Sequence, residues 1–176
     1  MHQRGDTLVD TRTGDRLTLL QTGADTGGAL LHVAWVWPKK GTPPFKHQHT
    51  VLQETFAPIA GRMGVHVGGE TRLLAPGERV TVPPGVWHYF WNAGDGELRF
   101  EQEVRPAGRH QELFELIFRL SSTGRLTPRA VLTDPALLAH AWALNEGYFA
   151  GLPRALQRLV FGTLARLTRR RAARGW

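Results

Sequence analysis

Cysteine is absent from this sequence of 176 residues, and its absence excludes disulfide bonds and thiolate chemistry. The first residues, M-H-Q-R-G-D-T-L, contain no apolar segment of the kind that signal peptides carry. The chain also has no run of about 18 apolar residues that would predict a transmembrane helix. A cytoplasmic location is therefore the default expectation.

Acidic residues are missing from residues 147–176, which contain seven arginines. In residues 1–146 the other 15 basic residues balance the 15 acidic ones, so the net charge of +7 belongs to the last segment. A balanced charge over most of the chain argues against a nucleic-acid-binding surface there. We expect a small-molecule partner and no nucleic acid.

Two blocks of sequence contain the residues with metal-binding chemistry. The first, G-T-P-P-F-K-H-Q-H-T-V-L-Q-E-T-F-A-P-I-A-G, spans residues 41–61, and the second, G-E-R-V-T-V-P-P-G-V-W-H-Y-F-W-N, spans residues 77–92. Three imidazoles and one carboxylate brought together make a site for a divalent metal. The candidate ligands are His47, His49, Glu54 and His88.

The spacing within each block has a structural meaning. Residues two apart in an extended strand point to the same face, so His47 and His49 project together. Aromatic residues share the faces of the candidate ligands: Phe45 with His47, Phe56 with Glu54, and Phe90 with His88. Strand parity thus predicts an aromatic pocket around the ligands.

The two blocks resemble the paired motifs of the cupin superfamily, G-x5-H-x-H-x4-E-x6-G and G-x5-P-x-G-x2-H-x3-N. Every fixed position of both motifs is met, and the insert of 15 residues between Gly61 and Gly77 is of the short microbial kind. The resemblance implies a mainly β fold, a double-stranded β-helix or jelly-roll barrel. It also implies that the four candidate residues are the metal ligands. Many cupins dimerise, and a strand containing Trp35 and Trp37 would suit a homodimer interface.

The apolar period changes from 2 to 3.6 after residue 106. We therefore expect a barrel in residues 1–106 and an extension of about three C-terminal α-helices in residues 107–176, packed on the barrel. The first predicted helix spans residues 110–120. The second is capped by Asp134, begins at Pro135 and runs to about Phe149. The predicted barrel strands include residues 17–21, 30–37 and 98–104, with a hairpin turn at residues 68–69.

The third predicted helix has an apolar stripe flanked by arginines. A basic amphipathic helix of this kind could lie on an anionic membrane surface. The alternative is that the stripe packs on the barrel or on a partner subunit and leaves the arginines in solvent, and the sequence reading favours this alternative. The stripe consists of Leu156, Leu159, Val160, Leu164 and Leu167.

Three histidines and a glutamate leave coordination positions open around a single divalent ion, which could be Fe, Mn, Ni, Co, Cu or Zn. An aromatic pocket suits a flat substrate that chelates the metal through its oxygens. Besides the three phenylalanines, His66 is a candidate pocket residue. Within the cupins this combination resembles the quercetinase-like and related ring- or diketone-cleaving dioxygenases.

The leading hypothesis is a metal-dependent oxygenase that acts on a small aromatic or enolisable substrate of the flavonol or diketone kind. Glu54 would be the fourth ligand and a possible proton acceptor in catalysis. One alternative is a redox-neutral cupin, such as a polyketide cyclase or an isomerase, in which the metal polarises a carbonyl. The other is a cupin that binds a small molecule without turnover.

Overall fold

The computed structural model describes residues 2–41, 45–125 and 135–172. Within these residues the chain forms eleven β-strands in two antiparallel sheets, together with three α-helices. This arrangement confirms the predicted mainly β jelly-roll fold with C-terminal helices.

Six strands form the first sheet and five the second. The first sheet contains β1 (Thr7–Val9), β2 (Arg16–Gln21), β3 (Leu31–Trp37), β5 (Gln53–Ala60), β8 (Val80–Val82) and β10 (Leu98–Arg105). The second contains β4 (His47–His49), β6 (Met63–Val67), β7 (Glu70–Leu74), β9 (His88–Asn92) and β11 (Gly147–Phe149). Their spatial orders are β1-β2-β3-β10-β5-β8 and β11-β4-β9-β6-β7.

The central strands bury every second side chain. In β10, Leu98, Phe100 and Val104 are fully buried, while the intervening Arg99 is exposed. Strands β3 and β5 flank β10 on either side, so its inward face meets the shared core of the barrel. This alternation is what a sheet covered on one face requires. The one polar residue on the inward face of β10, Gln102, is 1% exposed.

Three helices follow the barrel strands: α1 (His110–Ser122), α2 (Pro135–Asn145) and α3 (Arg154–Ala172). Helix α1 lies against the barrel core, because the rings of Phe114 and Phe118 lie 5.2 and 5.7 Å from the ring of Trp35. Helix α3 packs on α2, where the ring of Phe161 lies 5.8 Å from that of Trp142. Judged by length and apolar content, none of the helices in the described part of the chain could span a membrane.

The second predicted helix is shorter than expected. It ends at Asn145, Glu146 takes a positive φ of 52°, and the next three residues pair with β4 as strand β11. The apolar Tyr148 and Phe149 are compatible with the period of a helix and with that of a strand. Pairing with the edge of β4 favours the strand. The predicted cap, Asp134, lies outside the described residues.

Four of the five stripe residues of α3 face solvent, and Leu164 is half-buried. Leu159 is 69% exposed and Leu167 is 74% exposed, whereas the packed side of the helix carries the buried Gln157 and Ala165. Within one chain, therefore, these four residues do not pack on the barrel, and packing on a partner subunit stays a prediction.

Candidate metal centre

The fold brings the four candidate ligands together from both sheets. His47 and His49 lie on β4, His88 on the neighbouring β9, and Glu54 on β5 of the opposite sheet. One potential ligand atom from each residue lies within 4.8 Å of the others. Metal–ligand bonds of about 2.0–2.2 Å place opposite ligand atoms about 4.3 Å apart, so small shifts would close this group around an ion. The donor set of three nitrogens and one carboxylate fits a divalent first-row metal.

Each ligand histidine is oriented by a backbone carbonyl. The Nδ1 atoms of His47, His49 and His88 donate to the carbonyls of Phe45, Asn145 and Val86, at 2.9, 2.7 and 3.0 Å. A carbonyl oxygen can only accept, so these contacts place a proton on Nδ1. The Nε2 atoms are thereby assigned to the metal side, the usual arrangement at histidine metal sites.

Glu54 lies at the centre of the group and is held from two sides. Its Oε2 lies 3.1 Å from Nε2 of His49 and 2.8 Å from Nε2 of His88. Its Oε1 accepts from Nε2 of Gln102 at 2.7 Å, and Oε1 of Gln102 accepts from Nε1 of Trp35 at 2.8 Å. The two hydrogen bonds that connect Trp35, Gln102 and Glu54 therefore fix the carboxylate, and its Oε2 faces the histidines.

The pKa values of the ligands are shifted in opposite directions. Burial, together with His88 and His49, lowers the pKa of His47 to about 3. Burial lowers the pKa of His49, but the charge and hydrogen bond of Glu54 outweigh it and leave the pKa raised. Burial likewise raises the pKa of Glu54, and the contacts with His49 and His88 then hold it well below its usual range. From these directions we expect His49 and Glu54 to form a buried ion pair in the metal-free protein.

Metal binding is therefore expected to release protons near neutral pH. Because the pKa of His49 lies above its ordinary 6.5, its Nε2 must lose a proton before it can bind a metal. His47, already neutral above pH 3 or so, contributes none. Titration calorimetry of the metal-free protein with Zn²⁺ at pH 6.5, in buffers of different ionisation enthalpy, should show more than about half a proton released per ion.

The same shifts set the sign of the pH dependence. Metal affinity should fall as the pH drops, because protons then compete for His49. In the metal-free protein, the raised pKa of His49 stabilises the fold below pH 6.5, and the lowered pKa of Glu54 stabilises it above pH 4.5. The ion pair thus stabilises the metal-free protein between these values. Zero proton release at pH 6.5 would contradict the ion pair.

Other motif residues build the surrounding backbone. The amide of Gly85 donates to the carbonyl of His49 at 2.7 Å, so the second block fixes the end of β4. Asn92 is fully buried, and its Nδ2 donates to the carbonyls of Trp37, Lys39 and Gly96. These residues position strands and turns rather than contact the ligand atoms.

Three features of the centre were not found from the sequence. The carbonyl of Asn145 that orients His49 comes from the end of α2, 96 residues away. Alternation in β10 puts Gln102 on the face of Leu98 and Phe100, and a polar residue on that apolar face was the available signal for its role. For His110 the sequence predicts only the first position of a helix.

His110 is a fourth imidazole beside the centre, and it is buried. It is 2% exposed, and its ring lies 4.8 Å from that of His49 at an interplanar angle of 76°. Burial and the neighbouring His49 lower its pKa to about 3, which keeps it neutral. Its Nδ1 has no hydrogen-bond partner among the residues that the structure describes. A neutral imidazole with a free polar atom is thus available next to His49.

The predicted pocket residues have different positions. Phe56 is 1% exposed and packs against Phe90 at a ring distance of 4.3 Å, so both belong to the core beside the ligands. Phe45 is 46% exposed and lies 6.4 Å from the ring of Phe149. It sits at the edge of the sheet rather than inside the barrel.

His66 lies on the other face of its sheet. Its register partner is Tyr89, the neighbour of His88 in β9, so His66 and His88 project to opposite faces. Outside the barrel its ring stacks on Tyr89 at 4.8 Å, and its Nδ1 pairs with the hydroxyl of Thr71 at 2.9 Å. The expectation that His66 lines the pocket is therefore corrected.

Comparison with known proteins agrees with the motif and the fold. Residues 33–104 match the family model described as the cupin domain. This segment contains all four candidate ligands. No curated protein matches the chain.

Solved structures resemble the barrel at low sequence identity. A predicted oxalate decarboxylase from Thermotoga maritima is 19% identical, with a TM-score of 0.49 over 60% of this chain and 99% of that one. KdgF from Halomonas sp. is 20% identical, with a TM-score of 0.45 over 55% and 83%. A protein with a double-stranded β-helix domain from Klebsiella pneumoniae is 27% identical, with a TM-score of 0.41 over 46% and 70%. With both motifs complete and the jelly-roll fold in place, residues 33–104 form a cupin domain.

Proposed function

We propose that this cupin binds one divalent first-row metal per chain and acts as a metal-dependent oxygenase on a small enolisable substrate. The observation that carries the proposal is the oriented ligand set. Three imidazoles have their Nδ1 atoms tied to carbonyls and their Nε2 atoms near one carboxylate. Four protein ligands leave one or two coordination positions open for substrate, which a closed structural site lacks. The ligands are His47, His49, Glu54 and His88.

Access to the centre is proposed from the side of His47. His49, Glu54 and His88 are each 3% exposed or less, whereas His47 is only partly buried. The exposed Phe45 and its neighbour Phe149 lie on this side, because β11 pairs Phe149 with His47. A flat substrate entering here would contact these two rings before it reached the ligands.

The interior aromatic side chains support a water-poor centre. Phe56 and Phe90 pack against each other beside Glu54 and His88, and Phe90 also stacks on Trp37 at 5.6 Å. Excluding water strengthens electrostatic interactions with a bound anion and protects reactive intermediates. When bound, a redox-active metal supplies electron-transfer chemistry with O₂ at this centre.

The role of Glu54 is narrowed by its surroundings. A pKa well below the usual range keeps the carboxylate charged, as a ligand requires, and makes it a weak proton acceptor. Its Oε1 is moreover occupied by Gln102. We therefore assign Glu54 the role of ligand ahead of the catalytic proton acceptor that the sequence suggested.

The proposal is tested by metal analysis followed by oxygen uptake. Protein expressed without added metal is analysed for elements, then reconstituted with Fe(II), Mn(II), Ni(II), Co(II), Cu(II) or Zn(II). Each form is supplied with flavonols and β-diketones in an oxygen electrode. We expect one redox-active metal to support O₂ consumption that matches substrate loss, and His88→Ala to abolish it. His66→Ala, outside the barrel, is the matched control and should retain the activity.

Two results would overturn the oxygenase proposal. Turnover with Zn(II) in the absence of O₂ would show a redox-neutral cupin, such as a cyclase or isomerase. Tight binding of a substrate analogue with no turnover under any metal would show a binding protein.

A further inference from the structure

Helix α3 presents two different faces. One face packs on the protein through Gln157, Phe161 and Ala165, and the side-chain amide of Gln157 bonds both the amide and the carbonyl of Phe149. The other face is apolar and open to solvent. Its residues are Leu156, Leu159, Val160 and Leu167, which are 44%, 69%, 41% and 74% exposed.

These four residues form a continuous stripe. Their spacing of three, four and seven positions keeps them within about 100° of the helix circumference. Leu152, just before the helix, is also 48% exposed. An exposed apolar surface of this continuity marks an interaction site in a protein that is otherwise well packed.

The charge beside the stripe is uniformly positive. Arg158 and Arg166 are exposed on the helix, and the sequence continues with R-R-R at 169–171 and with Arg174. No acidic residue occurs in residues 147–176. The partner of this face must therefore tolerate or attract a high density of positive charge.

We propose that α3 docks this cupin on the surface of an anionic lipid bilayer, with the leucine stripe in the headgroup region and the arginines on lipid phosphates. Exposed leucines beside arginines are the arrangement of helices that lie in a membrane interface. A second copy of the chain fits less well, because two α3 helices packed stripe to stripe would bring their arginines together without an acidic partner. Nucleic acid would leave the leucines in water.

The rest of the extension holds α3 in place for such docking. The guanidinium of Arg154 bonds the side chain of Gln48 at 3.1 Å and lies over the rings of Trp87 and Tyr148, at 5.9 and 5.6 Å. This first turn of α3 is thus attached to strand β4, next to the metal centre.

The test is co-sedimentation of the full chain with vesicles. We expect binding to phosphatidylcholine vesicles that contain phosphatidylglycerol, weaker binding as salt rises, and little binding to phosphatidylcholine alone. The double variant Leu159→Gln/Leu167→Gln should bind at least about tenfold more weakly, and Arg166→Gln about fivefold more weakly. Leu73→Gln, which alters an exposed leucine of β7, is the matched control and should bind as the original chain does.

Three results would overturn the proposal: no binding to anionic vesicles, equal binding to both kinds of vesicle, or unchanged binding by the double variant. A dimer in analytical ultracentrifugation that the double variant dissolves, without vesicle binding, would assign the stripe to a second copy instead. The test does not depend on the oxygenase proposal, since the metal-free variant His88→Ala should bind vesicles as the original chain does.

Discussion

The variant His88→Ala should lose the metal that the original chain retains, with affinity lower by more than about 100-fold. His88 is 1% exposed, and its Nε2 lies 2.8 Å from Oε2 of Glu54. Water therefore cannot replace the imidazole as a ligand unless the surrounding residues move. Removing the ring deletes one of three nitrogen donors and leaves a buried space. The measurement is metal content after reconstitution and passage over a chelating resin, followed by competition with a chromophoric chelator.

A graded variant separates ligand loss from loss of orientation. Gln102→Leu keeps all four ligands but removes the donor to Oε1 of Glu54 and the acceptor for Nε1 of Trp35. Metal affinity should fall by about 10–100-fold, the usual effect of removing a group that orients a ligand. His66→Ala serves as the control for removing an imidazole, since His66 lies outside the barrel. Equal metal retention by His88→Ala and His66→Ala would refute the assigned centre.

The variant Gly147→Val is expected to weaken both the fold and the metal site. A Cβ atom at residue 147 would collide with the carbonyl of Gln48, a backbone atom that cannot move aside alone. Strand β11 would separate from β4, and the carbonyl of Asn145 would leave Nδ1 of His49. We expect a loss of about 1–3 kcal/mol in the free energy of unfolding and about a 10–100-fold loss of metal affinity.

Denaturant unfolding and chelator competition on the same preparations check this expectation. The matched control is Gly162→Ala, because Gly162 lies within α3 and an added Cβ meets no atom within 4 Å. This control should leave metal affinity unchanged and should stabilise the helix by about 0.5–1 kcal/mol. If Gly147→Val lost stability but bound metal as before, the carbonyl of Asn145 would have no part in orienting His49.

Much of the metal centre follows from local sequence. The two blocks specify which residues carry nitrogen and oxygen donors, and the period of two in a strand specifies which of them share a face. These relations hold over five or six residues, so they can be predicted without knowing which strands are paired. The alternation in β10 is readable for the same reason, whereas the barrel was implied by the resemblance of the two blocks to the cupin motifs.

Other parts of the centre depend on contacts that no local pattern records. His49 is oriented by the backbone carbonyl of Asn145. Every residue has such a carbonyl, so the amino-acid type at position 145 does not indicate this contact. His110 enters the centre because α1 packs across Trp35, and the helical period alone does not say which strand the helix meets. The inward position of Gln102 was visible, but its contact with Glu54 requires two strands to be neighbours.

The sequence by itself determined the four candidate ligands and the positive charge of the last 30 residues, and its two motifs predicted the barrel. Tertiary structure decided that residues 147–149 form a strand beside β4 and that His66 faces away from the ligands. It also decided that the leucines of α3 remain exposed. The physical reason is that periodicity shows which side chains share a face, whereas the partner that covers a face is set by packing between segments distant in the chain.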